Sequence, residues 1–490
     1  MALLLVTVIL LLVFPRESSQ SEPYRFGTKT AYHNHYNYKN TLTSSPRPPE
    51  DCKPVHFNMV LRHGSRFPSG GDRKKMDRLL TKLNEIYNTS SPFRYQNLTI
   101  PWTKPIEWND VKPKELSPQG EIELYRIAKR FRSRFRQVFD KPYWNKYYKF
   151  VARDQSRSAQ SAVAFAFGLF ENDGPVSASK FQPVAITFAG REENDKLLSS
   201  YEACPRYEID VKKIADAEVK KFSKGPEIKD VARRVEERLR ISGKLSLTFK
   251  DVHMIRRLCA FGIMNRQDDS WCALLSRDDI KILGYPEDLE KYYEHSYGNK
   301  LSYQIICVLL SDMSEMLEDF AKGKTDLRGV FRFASSGTLV SMLTIMGFFE
   351  GSSTLRADNY QVYQQNTQRN FTTEFLPTSA NIAMVLYECN STEKAAKHEY
   401  KVQVLLNEKP IGLPCCRGNI TCDLDEFLSY FKETVDSCDF DAMCSLPATA
   451  VYSTTPGPKA LASIFRPQLQ LMLLTPVITM FLQVKACQFG

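Results

Sequence analysis

The residue types that could do chemistry are concentrated in one short segment, residues 62–68. It has the sequence RHGSRFP and follows an apolar run, PVHFNMVL, at 54–61. An imidazole can attack phosphorus and form a phosphohistidine, which divides one difficult displacement into two easier steps. Guanidinium groups bind phosphoryl oxygens in bidentate geometry, so Arg62 and Arg66 are expected to hold the group that His63 attacks. The segment therefore predicts phosphoryl transfer with no metal and no cofactor.

Two further motifs follow this segment in chain order. They are LSPQG at 116–120 and QSRSAQSA at 155–162. Together with RHGSRFP they resemble the histidine acid phosphatases, most closely the multiple inositol polyphosphate phosphatases, over about residues 50–445. The resemblance implies a phosphoric monoester hydrolase acting on inositol polyphosphates, with His63 as nucleophile and Arg157 as a third phosphate-binding arginine.

The turn that follows the apolar run at 329–334 departs from that family. The resemblance implies a His-Ala-Glu element here, in which the histidine binds the phosphoryl group and the carboxyl protonates the departing alkoxide. This chain has Ser335, Ser336 and Gly337 instead. Ser335 keeps a hydroxyl that can bind phosphate, whereas Gly337 is a degenerate donor position. General acid catalysis is worth roughly 10²–10⁴-fold in rate, so we expect weakened turnover of an inositol ester.

Two functions therefore remain open. The first is a phosphomonoesterase of weakened activity, in which Asp358, Glu374 or water replaces the missing proton donor. The second is a catalytically dead relative that binds phosphorylated ligands or acts as an extracellular interaction protein. An aryl phosphate separates them, because its leaving group needs little protonation and His63 would still turn it over.

These motifs need a scaffold that brings several strand ends together. Amphipathic spacing predicts a helix after LSPQG, with Leu124, Ile127, Phe131, Phe135 and Val138 on one face. Apolar and alternating runs predict strands at 54–61, 146–153, 329–334, 380–388 and 399–406. The pattern predicts an α/β fold, with a mostly parallel central sheet flanked by helices and a helical cap or insertion domain.

The domain organisation follows from the same patterns. We expect an α/β core interrupted by a charged, helical insertion, which the resemblance places over the site as a cap. The predicted segments are a signal peptide at 1–19, an irregular arm at 20–49, the core at 50–190 and 319–448, the insertion at 191–318, and a tail at 449–490.

The two ends of the chain indicate the secretory pathway. Residues 3–14 are a short apolar run typical of a cleaved signal peptide, with an uncleaved anchor as the alternative. A polar spacer at 453–459 and an apolar segment at 469–483 are typical of a glycolipid-anchor signal, but further residues follow, and a packed tail is the alternative. We expect an extracellular or cell-surface location rather than the endoplasmic reticulum lumen, because no KDEL-type signal is present.

Glycosylation motifs and cysteines agree with that compartment. Asn-x-Ser/Thr sequons occur at Asn88, Asn97, Asn370, Asn390 and Asn419. The 12 cysteines show no metal-site spacing and favour an oxidising compartment. Plausible local disulfides join Cys259 to Cys272 and Cys438 to Cys444, although spacing alone does not fix connectivity.

The charge balance limits the partners. The 490 residues include 66 Lys and Arg against 56 Asp and Glu, a net charge of +10 that suits an anionic partner. A basic run between Lys129 and Arg136 is typical of a solvated helix face rather than of a nucleic-acid contact. We expect a phosphorylated small molecule as partner, no nucleic acid, and contact with a membrane only through a lipid anchor. The sequence does not determine an oligomeric state.

Overall fold

The structure is a computed structural model that describes residues 24–35, 49, 51–87, 93–95, 98–100, 111–178, 180–265, 269–351, 354–365, 371–390 and 399–446. The chain divides into two units, Met1–Ser445 and Leu446–Gly490, and all the elements named below belong to the first. The predicted signal peptide and tail lie outside the described residues, as does most of the predicted arm.

The described strands include all five that the sequence predicts. They are β1 Cys52–Arg62, β2 Phe93–Tyr95, β3 Leu98–Ile100, β4 Tyr148–Ala152, β5 Ile186–Phe188, β6 Gly329–Ala334, β7 Asn381–Cys389, β8 Glu399–Leu406, β9 Lys409–Pro410 and β10 Cys422–Asp423. The central sheet has the order β10-β8-β7-β1-β6-β4-β5, with β9 also paired to β8, while β2 and β3 form a separate hairpin. The predicted α/β class, a central sheet flanked by helices, is confirmed.

The sheet is mixed, so the predicted parallel character extends over only part of it. Strands β1, β6, β4 and β5 pair in parallel, whereas the pairs β1–β7, β7–β8, β8–β9 and β8–β10 are antiparallel. Parallel neighbours need crossovers of roughly a dozen residues or more. The segment between β7 and β8 is shorter than that, which explains why these two strands are antiparallel.

Helices fill most of the remaining described chain. They are α1 Tyr32–His35, α2 Gly70–Tyr87, α3 Pro118–Arg134, α4 Ser156–Phe170, α5 Pro205–Tyr207, α6 Lys213–Phe222, α7 Pro226–Leu239, α8 Phe249–Met264, α9 Arg277–Ile282, α10 Tyr285–His295, α11 Lys300–Gln304, α12 Cys307–Ala321, α13 Ser336–Ile345, α14 Tyr360–Gln365, α15 Leu424–Asp436 and α16 Phe440–Cys444. Between β5 and β6 the described residues form helices and no strand, and the insertion boundaries at 191 and 318 stay a prediction. None of the described helices has the length and apolar content that crossing a membrane requires.

One face of the sheet is covered by α3 and α4. Helix α3 begins as its sequence predicts, because the Ser117 hydroxyl caps the N–H of Gly120 and Pro118 occupies the first turn. The predicted apolar face of this helix is buried, and it packs with Phe57 and Phe331 from the sheet. This packing fixes the LSPQG motif beside the end of β1.

The other face of the sheet is covered by the helices between β5 and β6, together with α2 and α13. Along β1, Phe57, Met59 and Leu61 belong to the core shared with α3 and α4, whereas Val60 belongs to the core on the opposite face. This alternation is the period of two that a strand imposes. The sheet therefore lies between two layers of helices.

Five disulfides are formed among the described residues. They join Cys52 to Cys389, Cys204 to Cys444, Cys259 to Cys272, Cys307 to Cys438 and Cys416 to Cys422. The predicted link between Cys259 and Cys272 is confirmed, but the predicted link between Cys438 and Cys444 is wrong. Helix α15 packs on α12 and α16 packs on α5, so these two cysteines face different partners. Chain proximity alone could not show that packing.

Candidate active site

Three parallel strands bring their carboxyl ends to one edge of the sheet. Arg62 at the end of β1 is paired with Ala334 at the end of β6, and the N–H of His63 donates to the carbonyl oxygen of Ala334 at 3.2 Å. The N–H of Arg153, just after β4, donates to the carbonyl oxygen of Phe333 at 3.1 Å. Sites of α/β proteins form at this edge because loops from neighbouring strands meet there.

His63 is held in the tautomer that a nucleophile needs. Its Nδ1 lies 2.9 Å from the carbonyl oxygen of Gly64, which can only accept, so Nδ1 carries the hydrogen and Nε2 keeps its lone pair. Burial first, and then the positive charges of Arg157, Arg62 and Arg66, lower the pKa of this ring well below its usual range. The imidazole is therefore neutral and available for attack.

The arginine side chains are positioned by backbone carbonyls. Arg62 donates from Nη1 to the carbonyl oxygen of Leu376 at 2.9 Å, and Arg66 donates from Nη1 to that of Phe67 at 2.8 Å. Burial and the neighbouring guanidiniums lower the pKa of Arg66 to about 9. Because these like charges repel one another, an anion bound among them would be stabilised.

Arg157 reaches the same site through the first turn of α4. The hydroxyl of Ser161 accepts the N–H of Gly64 at 3.1 Å and donates to the carbonyl oxygen of Arg157 at 2.7 Å. One side chain thus ties the loop after β1 to the helix that carries Arg157. The five residues predicted to attack or bind phosphate, which are His63, Arg62, Arg66, Arg157 and Ser335, line one cavity.

The loop after β1 rests directly on the start of α3. A Cβ placed on Gly64 would lie 2.6 Å from the carbonyl oxygen of Gly120, and one on Gly120 would overlap the carbonyl oxygen of Ser65. Such distances are shorter than van der Waals contact, so neither glycine can gain a side chain without moving the loop. This contact explains why LSPQG and RHGSRFP occur together.

Glu123 on α3 supports the loop from below, and the sequence analysis missed it. The N–H of Ser65 donates to Oε2 at 3.1 Å and its hydroxyl to Oε1 at 2.9 Å, while the N–H of Tyr32 donates to Oε1 at 3.1 Å. The hydroxyls of Thr378 and Ser379 lie 3.2 and 2.9 Å from Oε2. The available signal was a carboxylate on the apolar face of a helix, since charged groups are rarely buried without partners.

The turn at Ser335 belongs to the site, although it lacks the histidine and the carboxyl that the resemblance implies there. Ser335 lines the cavity at the start of α13, and its hydroxyl lies 2.8 Å from that of Tyr201. Arg153 donates to the same Tyr201 hydroxyl at 3.0 Å and pairs with Glu202 at 2.5 Å. Tyr201, Arg153 and Glu202 line the cavity, although no motif in the sequence singled them out.

The cavity has a volume of about 1010 Å³, and most of its charged lining residues are basic. Besides the three predicted arginines, the basic side chains that line it are those of Lys29, Lys75, Lys114, Arg153, Lys212, Lys220, Lys250, Arg256, Arg257 and Lys291. The acidic ones are those of Glu202, Glu208, Asp216, Glu287, Glu290 and Glu294. The excess of positive charge suits a ligand that carries several negative groups.

The carboxylates that the sequence offered as replacement proton donors lie elsewhere. Neither Asp358 nor Glu374 is among the cavity residues. Asp358 accepts hydrogen bonds from Lys221 at 2.8 Å and Arg356 at 3.0 Å, which hold its pKa below the usual range. Glu374 pairs with Arg25. These two candidates were wrong because the position of a side chain after the turn depends on tertiary packing.

Other predicted features fall outside the cavity. Asn390 and Asn419 are exposed, whereas the sequons at 88, 97 and 370 lie outside the described residues. On α3, several basic side chains are held by internal partners: Arg130 pairs with Glu408 at 2.6 Å and Arg132 with Asp173 at 2.8 Å.

Comparisons with known proteins agree with the geometry of the site. A family described as the histidine phosphatase superfamily (branch 2) matches residues 55–407. Multiple inositol polyphosphate phosphatase 1 of Gallus gallus is 28% identical over 86% of this chain and 92% of its own length. The human protein of the same name is 26% identical over 89% of this chain and 92% of its own length.

Solved structures show the same fold. The phytase from D. castellii superposes with a TM-score of 0.66 at 18% identity, covering 82% of this chain and 83% of its own. The Bifidobacterium longum multiple inositol polyphosphate phosphatase, in complex with inositol hexasulfate, superposes with a TM-score of 0.64 at 14% identity, covering 87% of this chain and 99% of its own. At such identities the likeness establishes the architecture.

Proposed function

Since the chain belongs to the histidine phosphatase superfamily (branch 2), we propose that it hydrolyses phosphate monoesters of inositol polyphosphates through a phosphohistidine at His63. The observation that carries this proposal is the pairing of a neutral imidazole, whose Nε2 keeps its lone pair, with the guanidiniums of Arg62, Arg66 and Arg157 in one cavity. This arrangement supplies a nucleophile and an oxyanion clamp without further groups.

The reaction takes place in two displacements. In the first, Nε2 of His63 forms a bond to phosphorus, the ester P–O bond breaks, and the leaving oxygen takes a proton. In the second, water attacks the phosphohistidine and the P–N bond breaks, which releases phosphate. The guanidiniums of Arg62, Arg66 and Arg157 bind the non-bridging oxygens and stabilise the charge that spreads over them in both transition states.

The turn at 335–337 limits the first displacement for a poor leaving group. Ser335 can bind an oxygen of the phosphoryl group, but its hydroxyl is too weak an acid to protonate the departing alkoxide. Gly337 has no side chain that could do so. Loss of a general acid costs roughly 10²–10⁴-fold in rate. The proposed enzyme is therefore slower on inositol esters than a relative that keeps a carboxyl at this position.

The size and charge of the cavity favour polyphosphorylated ligands over simple monoesters. Its volume, about 1010 Å³, is at the upper end for a small-molecule site. Several of the lining lysines and arginines lie on elements distant in sequence from RHGSRFP, such as Lys75 on α2 and Lys250 on α8. These side chains can bind phosphates other than the one that is transferred.

A second candidate function is ligand binding without turnover. The absence of a side chain at Gly337 favours it, because the three arginines would retain binding after proton donation is lost. Both candidates predict binding of inositol hexakisphosphate, so binding alone does not separate them.

Turnover of an aryl phosphate provides the test. We expect the purified protein to hydrolyse p-nitrophenyl phosphate and to form an acid-labile phosphoenzyme, and we expect His63→Ala to abolish both. The matched control is His56→Gln, which removes a buried imidazole from the middle of β1, about 20 Å along the strand from His63. Hydrolysis that survives in His63→Ala would refute the phosphohistidine at His63. An inert wild-type protein that still binds inositol hexakisphosphate would refute the enzymatic function.

We further propose that the protein folds in the secretory pathway and reaches the cell surface or the extracellular space. The five disulfides support an oxidising compartment. Cell fractionation with glycosidase treatment tests this, since Asn390 and Asn419 are exposed and would carry removable glycans.

A further inference from the structure

The space that Gly337 leaves open is filled by another side chain. A Cβ placed on Gly337 would lie 2.5 Å from Cε1, 2.6 Å from Nε2 and 3.0 Å from Nδ1 of His295. The edge of the imidazole that carries both nitrogens therefore faces the glycine. Any residue larger than glycine at position 337 would therefore displace His295 from its present position.

His295 reaches this position from α10, which packs against α13. It is the last residue of α10 and is 3% exposed, while it lines the cavity together with Ser335 and Gly337. Its ring centroid lies 4.9 Å from that of Tyr201, edge to face, and 6.2 Å from that of Tyr207. These two aromatic rings fix the orientation of the imidazole.

The nitrogens of this imidazole are not used by the fold. Nδ1 is buried with no hydrogen-bond partner among the described residues, and Nε2 lies 3.6 Å from Oε2 of Glu294. A buried polar atom without a partner is costly, typically by about 1–3 kcal/mol, so its retention suggests that it serves another purpose. A nearby carboxylate stabilises the protonated ring.

We propose that His295 donates the proton to the leaving oxygen, in place of the carboxyl that position 337 lacks; this inference rests on the proposed phosphohistidine reaction. The turn that carries Ser335 follows β6, and the loop that carries His63 follows the adjacent strand β1 in parallel register. Ser335, Gly337 and His295 therefore lie beside the loop that carries His63, in the cavity that a phosphate ester would occupy.

The proton balance is complete with this residue alone. In the first displacement the imidazolium of His295 gives a proton to the alkoxide as the P–O bond breaks, and the ring becomes neutral. In the second, the attacking water loses a proton to the neutral ring as the P–N bond breaks. The enzyme returns to its starting state, with one water consumed and one alcohol and one phosphate released.

The charges around His295 connect this role to substrate binding. On its own helix it faces Glu294 and Lys291, and Lys212 approaches from the π-helical residues 208–212 before α6. The phenol rings of Tyr201 and Tyr207 pack against it, whereas the turn at 335–337 contributes no ionisable group. Burial, followed by the two lysines, lowers the pKa of His295 in the protein alone. The negative charge of a phosphate ester acts in the opposite direction, so the ring gains its proton when a polyphosphate binds and the pH is acidic.

The test compares two substrates and three replacements. With inositol hexakisphosphate, whose leaving group is a poor one, we expect His295→Ala and His295→Phe to lower kcat/KM by roughly 10²-fold or more. With p-nitrophenyl phosphate we expect a loss below roughly 10-fold, because its leaving group needs little protonation. The third replacement, the double variant His295→Ala/Gly337→Glu, restores a carboxyl where the imidazole was and should recover part of the inositol activity.

Controls separate the loss of a proton donor from the loss of packing and from misfolding. His295→Phe preserves the volume of the ring, so retained inositol activity in this variant would mean that His295 serves packing only and would overturn the proposal. His56→Gln controls for the loss of a buried imidazole elsewhere, and thermal unfolding identifies variants that fail to fold. Equal losses on both substrates, or no loss on either, would also overturn the proposal while leaving the phosphohistidine intact. A wild-type protein inert on both esters would overturn the proposed function, and this inference with it.

The pH profile gives an independent readout. We expect kcat for inositol hexakisphosphate to rise toward acidic pH in the wild type, and we expect His295→Phe to lose this limb. An unchanged limb in His295→Phe would assign the proton to a different group.

Discussion

Replacement of Glu123 tests whether one buried carboxylate holds the catalytic loop in place. Its two oxygens accept backbone N–H groups from Ser65 and Tyr32 and lie beside the hydroxyls of Ser65, Thr378 and Ser379. Hydroxyls can rotate and accept instead, but an N–H cannot. The cost of a replacement therefore depends on how many of the two N–H groups remain without an acceptor.

The magnitude follows from that count. In Glu123→Gln the amide oxygen can serve only one of the two N–H groups, and its NH₂ faces the other, so one donor is left buried and unpaired. We expect a loss of about 1–3 kcal/mol in the free energy of unfolding. In Glu123→Ala both donors lose their acceptor and a cavity remains, which should cost about 2–6 kcal/mol.

Equilibrium unfolding in guanidinium chloride, under non-oxidising and non-reducing conditions, measures both variants. Glu121→Ala is the matched control, since Glu121 lies on the same helix one half-turn earlier and is exposed; it should change stability by less than about 1 kcal/mol. We also expect the phosphatase activity of Glu123→Gln to fall, because Ser65 directly follows Gly64 in the loop. If Glu123→Ala is no less stable than Glu121→Ala, the carboxylate does not support the loop.

Three further outcomes are expected. Gly120→Ala should abolish activity and destabilise the protein by about 1–3 kcal/mol, because its methyl group would overlap the carbonyl oxygen of Ser65; a fully active variant would contradict this contact. Burial by itself raises the pKa of Glu287, but Lys29 and other basic groups outweigh burial and hold this pKa well below the usual range. The ionised Glu287 should therefore stabilise the fold above about pH 4.5, and this stabilisation should be lost as the pH falls toward the lowered pKa. Urea midpoints between pH 6 and 3 should accordingly fall more steeply for the wild type than for Glu287→Gln. Non-reducing peptide maps should find Cys438 linked to Cys307, and a Cys438–Cys444 peptide would contradict the packing of α15 on α12.

Local patterns in the sequence determined much of the fold. Apolar runs of strand length located β1, β4, β6, β7 and β8, and the Ser-Pro pair at 117–118 located the start of α3. These signals are short-range, because strand alternation and helix capping depend on residues within a few positions of one another. The short strand β5 and the antiparallel pairing of β7 with β1 depended on segments distant in the chain, so the sequence did not indicate them. The hairpin of β2 and β3 is local, but each of its strands has only three residues, too few to show the alternation of a strand.

The disulfides also show which pairings could be predicted from neighbouring residues and which could not. The sequence placed Cys259 with Cys272 correctly, because 13 residues separate them. It failed for Cys438, whose partner lies 131 residues away. Such pairings depend on which helices pack against each other. The residues around two cysteines that are distant in the chain do not indicate that packing.

From residue types within motifs, the sequence predicts His63 as the nucleophile and Arg62 and Arg66 as its clamp. The resemblance adds Arg157 and the missing proton donor at Gly337. What fills the space beside Gly337 became visible only in the folded chain. His295 comes from a helix that precedes β6 in the chain and lines the cavity, and Glu123 reaches the loop after β1 from α3. Contacts of this kind arise from packing between layers, so no spacing along the chain could have indicated them.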